Sequence, residues 1–229
     1  SGNLVVFTNE LDFYNSIDQK LSKLEDPNKP MIVSISYNTD LLAMENIFPM
    51  VSRWVKYARV RNNLIIEIRT KSSFFNSIKD MKPSKNIILS WTLSPEKICK
   101  EYEIGAPPLS KRLDALSDAL NKGWRVRLCF DPILLIKNWE TIYDQFIDDV
   151  FSQIKTDKLR DVTIGVFRMN KDYFNRIRKR ESRSTLYYKN YVIEEGTVTL
   201  GKNERKEALN KIERKISHYL SKDKILMWS

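Results

Sequence analysis

The sequence predicts an α/β fold in which the buried strands of a parallel sheet alternate with amphipathic helices. Two observations carry this prediction: six apolar runs rich in β-branched residues, and segments of helical period between them. Several runs are almost continuously hydrophobic, which is typical of strands buried on both faces of a parallel sheet. The alternation indicates βα units with right-handed crossovers, in an open doubly wound sheet or in a whole or partial barrel.

The predicted strands are LVVFT (4–8), MIVSIS (31–36), LIIEIRT (64–70), NIILSWTL (86–93), RVRLCF (125–130) and VTIGVFR (162–168). Helical period between them places apolar residues on single faces, as for Leu113, Leu116 and Leu120 in a helix that ends at Gly123. After the sixth strand we expect a basic helix (171–180), a Tyr-rich stretch (186–192), a hairpin around Glu195-Gly196 and a helix over 204–220. No repeat or flexible linker divides the chain, so the sequence predicts a single domain.

The chain is basic, with 39 Lys and Arg against 29 Asp and Glu and a net charge of +10. The surplus is concentrated near the end, where residues 168–224 contain 16 Lys and Arg against 8 Asp and Glu. This asymmetry suits an anionic partner such as nucleic acid or an anionic membrane surface. A solubilising basic face is the alternative interpretation of the same charge.

Cysteine and glycine usage restricts the possible chemistry. The only cysteines, Cys99 and Cys129, are too few and too far apart to predict a disulfide framework or a metal cluster, so a reducing, cytoplasmic location is expected. No apolar run approaches the ~20 residues of a membrane span, and no signal peptide precedes the first strand. With 6 Gly the chain has no phosphate-binding loop, and its single histidine, His218, inside the last predicted helix, argues against a Ser-His-Asp arrangement.

Polar residues follow each predicted strand at the carboxyl end, where ligands of parallel α/β folds collect. Asn9, Ser94 and Asn138 are expected to cap the helices that follow them, because their side chains accept hydrogen bonds from free helix amides.

Three charged residues at strand ends, Lys71, Asp131 and Arg168, cap poorly and therefore require a partner or a ligand. A zwitterionic or phosphorylated small molecule would satisfy them. In that case Lys71 and Arg168 would face its anionic groups, and Asp40 or Asp131 its amine.

A second group of residues mixes cations with aromatic rings near the C-terminus. Basic side chains able to neutralise phosphates surround three tyrosines able to stack on bases: Arg176, Arg178, Lys179, Arg180, Arg183 and Lys189 around Tyr187, Tyr188 and Tyr191. Packing of the tyrosines on the core, with solvated basic residues around them, explains the same pattern equally well.

At these residues the chain resembles the spore photoproduct lyases and related radical S-adenosylmethionine proteins. The resemblance runs from about Leu4 to the C-terminus and is carried by NTDLLAME (38–45), EIRTKS (67–72), SWTLSPEKICKEYEIGAPPLSKRLDAL (90–116), GWRVRLCFDPI (123–133) and GVFRM (165–169). It implies a partial (βα) barrel over residues 4–168, with a basic helix and hairpin extension (169–229) that packs on it.

The resemblance also implies an activity, namely radical repair of a thymine dimer in DNA by an enzyme with a 4Fe-4S cluster that cleaves S-adenosylmethionine. Carried over by position, Thr39, Asp40, Lys71 and Thr92 match S-adenosylmethionine contacts, and Ser94, Asp131 and Arg168 occupy neighbouring strand ends. The implied DNA-facing residues are Arg176, Lys179, Arg180, Arg183, Tyr187, Tyr188 and Lys189.

Two departures from the family pattern qualify this expectation. The CxxxCxxC motif that holds the cluster should lie just upstream of Leu4, so we expect this chain to be the C-terminal part of a longer protein, unable to hold the cluster alone. Tyr37 stands at the position of the lyase's hydrogen-donating cysteine and is the candidate catalytic residue. A non-catalytic nucleic-acid-binding module, or a radical enzyme with another substrate, remains an alternative.

Overall fold

The computed structural model describes residues 7, 9–26, 28–36, 39–181 and 183–228. The predicted first strand (4–8), except Phe7, and the candidate Tyr37 lie outside the described residues. The described strands are β1 (Met31–Ser34), β2 (Leu64–Thr70), β3 (Ile87–Thr92), β4 (Arg125–Ile133), β5 (Asp161–Val166), β6 (Arg168–Asn170), β7 (Val192–Glu194), β8 (Thr197–Thr199) and β9 (Ile225–Trp228). The helices are α1 (Glu10–Leu21), α2 (Met50–Arg59), α3 (Glu96–Tyr102), α4 (Leu109–Asn121), α5 (Trp139–Gln153), α6 (Lys171–Arg180) and α7 (Lys202–Ile216).

Six strands form one parallel sheet in the order β1-β2-β3-β4-β5-β9, curled into a half-barrel. The predicted strands over residues 64–70, 86–93 and 125–130 are confirmed nearly to the residue. Sequence reasoning missed β9, which returns from the C-terminal part of the chain to pair with β5, Ile225 opposite Val162. Its four residues follow a short turn and are too few to show a period in the sequence.

The two faces of the half-barrel differ in chemistry. The convex face is apolar, as in the alternate β2 residues Leu64, Ile66 and Ile68, which are fully buried. Helices α2, α4, α5 and α7 pack there through their apolar sides. The concave face carries polar and charged residues at the intervening positions, so the strands are buried on both faces, but only one face is hydrophobic.

None of the three predicted side-chain caps forms, although Asn9 and Asn138 do stand at the N-cap positions of α1 and α5. The side chain of neither Asn9 nor Asn138 accepts a hydrogen bond from its helix, and Asn138 adopts the left-handed conformation with φ 61°. Helix α3 begins after Pro95, and the Ser94 hydroxyl donates elsewhere. Helix α2 is capped from a distance instead: the buried Glu45 accepts from the backbone amides of residues 51 and 52 at 2.7 and 2.9 Å.

The segment after β5 forms a small antiparallel sheet in the order β6-β8-β7, followed by α7 and β9. Its tight turn lies at Glu195 and Gly196, both with positive φ (46° and 76°), as hairpin turns of this type require. Helix α6 spans the predicted residues and is capped by the Asn170 side chain. Among the described residues, no helix has the length and apolar character needed to cross a membrane.

Candidate functional site

The carboxyl ends of β1 to β5 form a polar rim, and the predicted cofactor-binding residues lie along it. Thr39 and Asp40 follow β1, Lys71 follows β2, and Thr92 ends β3. Ser94 comes two residues later, whereas Asp131 is the seventh residue of β4 and Arg168 begins β6 beyond the end of β5. The rim is therefore lined by hydroxyls and by charges of both signs.

Asp40 connects the loop after β1 to the end of β2. One of its carboxylate oxygens accepts from the Thr70 hydroxyl at 2.7 Å, and the other accepts from the Lys71 backbone amide at 2.7 Å. Asp40 also accepts from the amide of Ala43 at 3.1 Å, whereas the neighbouring Thr39 is exposed. The Asp40 carboxylate thus fixes the backbone at Lys71.

Lys71 belongs to a buried cluster centred on Glu103. The Lys71 ammonium lies 2.9 Å from Glu103 Oε1, which also accepts from the Ser94 hydroxyl at 3.0 Å. The other oxygen, Oε2, lies 2.6 Å from the guanidinium of the fully buried Arg112. Burial acts to raise the pKa of Glu103, but Lys71 and Arg112 outweigh it and hold that pKa below its ordinary value.

Arg112 connects Glu103 to the end of β3 at Thr92. Its guanidinium donates to the Thr92 carbonyl at 3.2 Å and to the Pro107 carbonyl at 2.8 Å. Sequence reasoning missed both Glu103 and Arg112, because neither follows a predicted strand. The feature of the sequence that could have indicated Arg112 is the proline pair at 107 and 108. These prolines restrict the loop before α4, in which the carbonyl of Pro107 accepts from Arg112.

Asp131 and Arg168 form the second ion pair of the rim. Two hydrogen bonds join them, at 2.8 and 2.9 Å, and Arg69 of β2 approaches Asp131 at 3.3 Å. The pair lies directly above Gly165, because a Cβ placed there would come within 2.8 Å of both Arg168 Nη1 and Asp131 Oδ1. The glycine is therefore required by the close approach of the pair to β5.

Deeper on the concave face, a ladder of charges crosses four strands. Glu67 of β2 accepts from the Ser90 hydroxyl of β3 at 2.7 Å and from Arg127 of β4 at 3.2 Å. Arg127 in turn binds Asp161 of β5 through two hydrogen bonds of 2.6 and 2.9 Å. These residues were not predicted as a group. The sequence did contain an indication, because Glu67 and Arg69, like Arg127 and Asp131, are an even number of residues apart within apolar runs and therefore lie on the same face of their strand.

The basic and aromatic residues near the C-terminus divide into two classes. The ring centroids of Tyr187 and Tyr191 lie 5.7 and 5.5 Å from that of Phe174, and both partly buried rings pack against the core. Tyr188 is 61% exposed. The cations Arg176, Lys179, Arg180 and Arg183 are exposed as well, whereas Lys189 is half-buried and its pKa is lowered by that burial.

Both cysteines are buried, and neither forms a disulfide. Burial raises the pKa of the Cys99 thiol to about 11 and also raises that of Cys129. Within the described ranges, no group of three His, Cys, Asp or Glu side chains could hold a metal ion.

Comparison with known proteins gives a consistent result. The model of the spore photoproduct lyase family matches residues 6–225. The spore photoproduct lyase of Bacillus subtilis (strain 168) is 19% identical over 128 residues, which are 56% of this chain and 37% of that protein. The matched part thus spans little more than a third of the curated relative.

Solved structures share the fold. A spore photoproduct lyase complexed with dinucleoside spore photoproduct has a TM-score of 0.84 and 15% identity, over 97% of this chain and 67% of that one. A mutant of spore photoproduct lyase with bound AdoMet and dinucleoside spore photoproduct has a TM-score of 0.85, with the same identity and coverage. The predicted partial barrel is therefore confirmed as the architecture of the chain.

Proposed function

Since the chain belongs to the spore photoproduct lyase family, we propose that it carries the S-adenosylmethionine site and the DNA-facing surface of a radical enzyme that repairs thymine lesions. The family match over residues 6–225 is the observation that carries this proposal. The solved relatives with bound AdoMet and dinucleoside spore photoproduct support the choice of cofactor and substrate.

The rim residues fit the amino-acid end of S-adenosylmethionine, which presents a carboxylate and an amine. Lys71 is 38% exposed and already binds a carboxylate, that of Glu103, so it has the charge and reach to bind another. We propose that Lys71, Thr39 and Thr92 hold this end of the cofactor, with Asp40 fixing the backbone beneath it. Ser94, Asp131 and Arg168 then border the site.

S-adenosylmethionine bound there would supply the organic radical that abstracts hydrogen from the lesion. The 229 residues include only two cysteines, both buried, which do not fit the three thiolates that the family's iron-sulfur cluster requires. We therefore propose that this chain is the C-terminal part of the enzyme and that its own residues bind, orient and shield rather than hold the cluster. Tyr37 remains the candidate hydrogen relay.

The test uses the longest reading frame that contains this chain, reconstituted anaerobically with iron and sulfide. Given S-adenosylmethionine, a reductant and an oligonucleotide with the spore photoproduct, it should release 5′-deoxyadenosine and restore thymines. Lys71→Ala should weaken S-adenosylmethionine binding about 10- to 100-fold, the equivalent of one charged hydrogen bond. Lys100→Ala, on the exposed side of α3, is the matched control. An enzyme that does not cleave S-adenosylmethionine would overturn the proposal.

A nucleic-acid-binding module that has lost the enzyme is the second candidate. The exposed cations of α6 and the segment after it support it, together with the shortage of cysteines. On this reading the chain binds DNA in a salt-sensitive way and has no affinity for S-adenosylmethionine. Arg180→Ala or Arg183→Ala should lower the slope of log affinity against log salt by about one, whereas Lys23→Ala, after α1, should not. Affinity independent of salt would exclude this candidate.

A further inference from the structure

A cleft of about 710 Å³ opens between the half-barrel and the small antiparallel sheet. Its lining includes Arg168, Glu194, Thr197, Arg205 and Trp228, drawn from β6, β7, β8, α7 and β9 respectively. None of these residues except Arg168 belongs to the rim described above. The cleft is therefore a separate feature that borders the rim at Arg168.

The polar walls of the cleft are held in fixed positions. Arg205, with 15% of its side chain exposed, donates to Glu194 at 3.0 Å and to the Leu200 carbonyl at 3.2 Å, and so connects α7 to the hairpin. Arg168 is held by its two hydrogen bonds to Asp131 and is 41% exposed. The donors that the cleft presents are thus oriented before any ligand arrives.

Trp228 supplies a flat apolar surface in this cleft. Its side chain is 54% exposed, although it lies on a strand paired within the sheet. In the parallel register Trp228 is opposite Gly165, which has no side chain to cover the indole. An exposed tryptophan beside fixed hydrogen-bond donors is typical of a surface on which another planar ring stacks.

The charged side chains that line the cleft have no net charge. Two arginines, Arg168 and Arg205, face two glutamates, Glu194 and Glu195. A phosphate group therefore gains no net attraction in the cleft, whereas an uncharged heterocycle can use guanidinium donors, carboxylate acceptors and the Thr197 hydroxyl along its edge. The lining thus selects for a neutral, planar ring with donors and acceptors.

We propose that this cleft binds one nucleobase of an unpaired or displaced nucleotide, stacked on Trp228. This inference rests on the proposed function, because it takes DNA as the partner and adds where one base is held. The phosphates of the strand would follow the basic surface of α6 rather than enter the cleft. Recognition in the cleft would therefore depend on the presence of a base and little on salt.

The test compares two single-stranded oligonucleotides of equal length and equal phosphate number, oligothymidylate and the same backbone with abasic sites. Fluorescence anisotropy of the labelled strands should show oligothymidylate binding about 5- to 100-fold more tightly, the range expected from stacking of one base. Trp228→Ala should bring this ratio close to one, and Trp228→Phe should restore most of it. Phe13→Ala removes an aromatic ring of similar exposure on α1 and should leave the ratio unchanged.

The possible outcomes are distinguishable. Equal affinity for both strands, or an unchanged ratio in Trp228→Ala, overturns the base site and leaves the proposed DNA partner intact. Binding of neither strand at low salt overturns the DNA partner and the base site together.

Discussion

Replacing Glu103 by Gln measures how much the buried ion pair with Arg112 contributes to stability. The Arg112 side chain is 0% exposed and that of Glu103 is 7% exposed, with 2.6 Å between their charged atoms. Removal of one partner of such a pair costs about 3–5 kcal/mol, because the remaining charge stays buried without compensation. Arg112 keeps hydrogen bonds to the carbonyls of Pro107 and Thr92, so we expect the lower end, about 3 kcal/mol.

Chemical and thermal denaturation both measure this change. For a chain of this size, about 3 kcal/mol corresponds to a fall in Tm of roughly 6–12 °C. Glu96→Gln is the matched control, since Glu96 pairs with Lys100 at 3.4 Å on an exposed helix face, where the loss should be below about 0.5 kcal/mol. If the two variants differ by less than about 1 kcal/mol, the buried pair does not stabilise the fold as argued.

The same carboxylate predicts a pH dependence. The pKa of folded Glu103 lies below its ordinary value of 4.5, so ionised Glu103 stabilises the folded state above that pH. The contribution is lost as the pH falls through the folded pKa. The difference in unfolding free energy between the wild type and Glu103→Gln should therefore be constant near neutral pH and shrink in acid. A difference that grows on acidification would contradict this assignment.

Three further substitutions test local features by chemical denaturation. Gly165→Ala should cost about 1–3 kcal/mol, because the new methyl group meets the ion pair above it, whereas Gly201→Ala, with no neighbour within 4 Å, should cost less. Glu45→Gln should cost about 1–2 kcal/mol through the weakened cap of α2, and equal stability would exclude that cap. Tyr143→Phe removes the hydroxyl that accepts from the buried Leu134 amide at 2.9 Å and should cost about 1–3 kcal/mol; a neutral change would indicate another acceptor.

The sequence predicted the elements of this fold better than their ends. Strand β2 and helix α6 were predicted at their observed bounds, because hydrophobic period and length decide them locally. The predictions of side-chain caps failed because a cap can come from a residue that is distant along the chain. The carboxylate that caps α2 belongs to Glu45, which lies outside the helix, and only the folded chain brings it to the free amides.

The candidate site was predicted in part for the same physical reason. Topology alone brings the ends of parallel strands to one rim, so Asp40, Lys71 and Asp131 could be grouped from the sequence. The ion pairs that they form could not be predicted, since Glu103 reaches Lys71 from the end of α3, and Arg168, itself a predicted rim residue, folds back over Gly165 to Asp131. A charge at a strand end predicts that a partner exists. Which residue is the partner depends on the conformation of the loops, and the hydrophobic pattern of the sequence does not predict that conformation.

The two carboxylate oxygens of Glu103 have different partners, and this difference determines whether Lys71 can bind the proposed cofactor. Its Oε1 binds Lys71 and the Ser94 hydroxyl, while its Oε2 faces the Arg112 guanidinium. If Lys71 turned to the carboxylate of a bound S-adenosylmethionine, Glu103 would keep both Arg112 and Ser94, and no buried charge would lose its last partner. The exchange replaces one carboxylate on Lys71 by another, so its electrostatic cost is small compared with that of breaking an isolated pair. A lysine shared in this way is held in position at the rim before the ligand binds and can still be released to it.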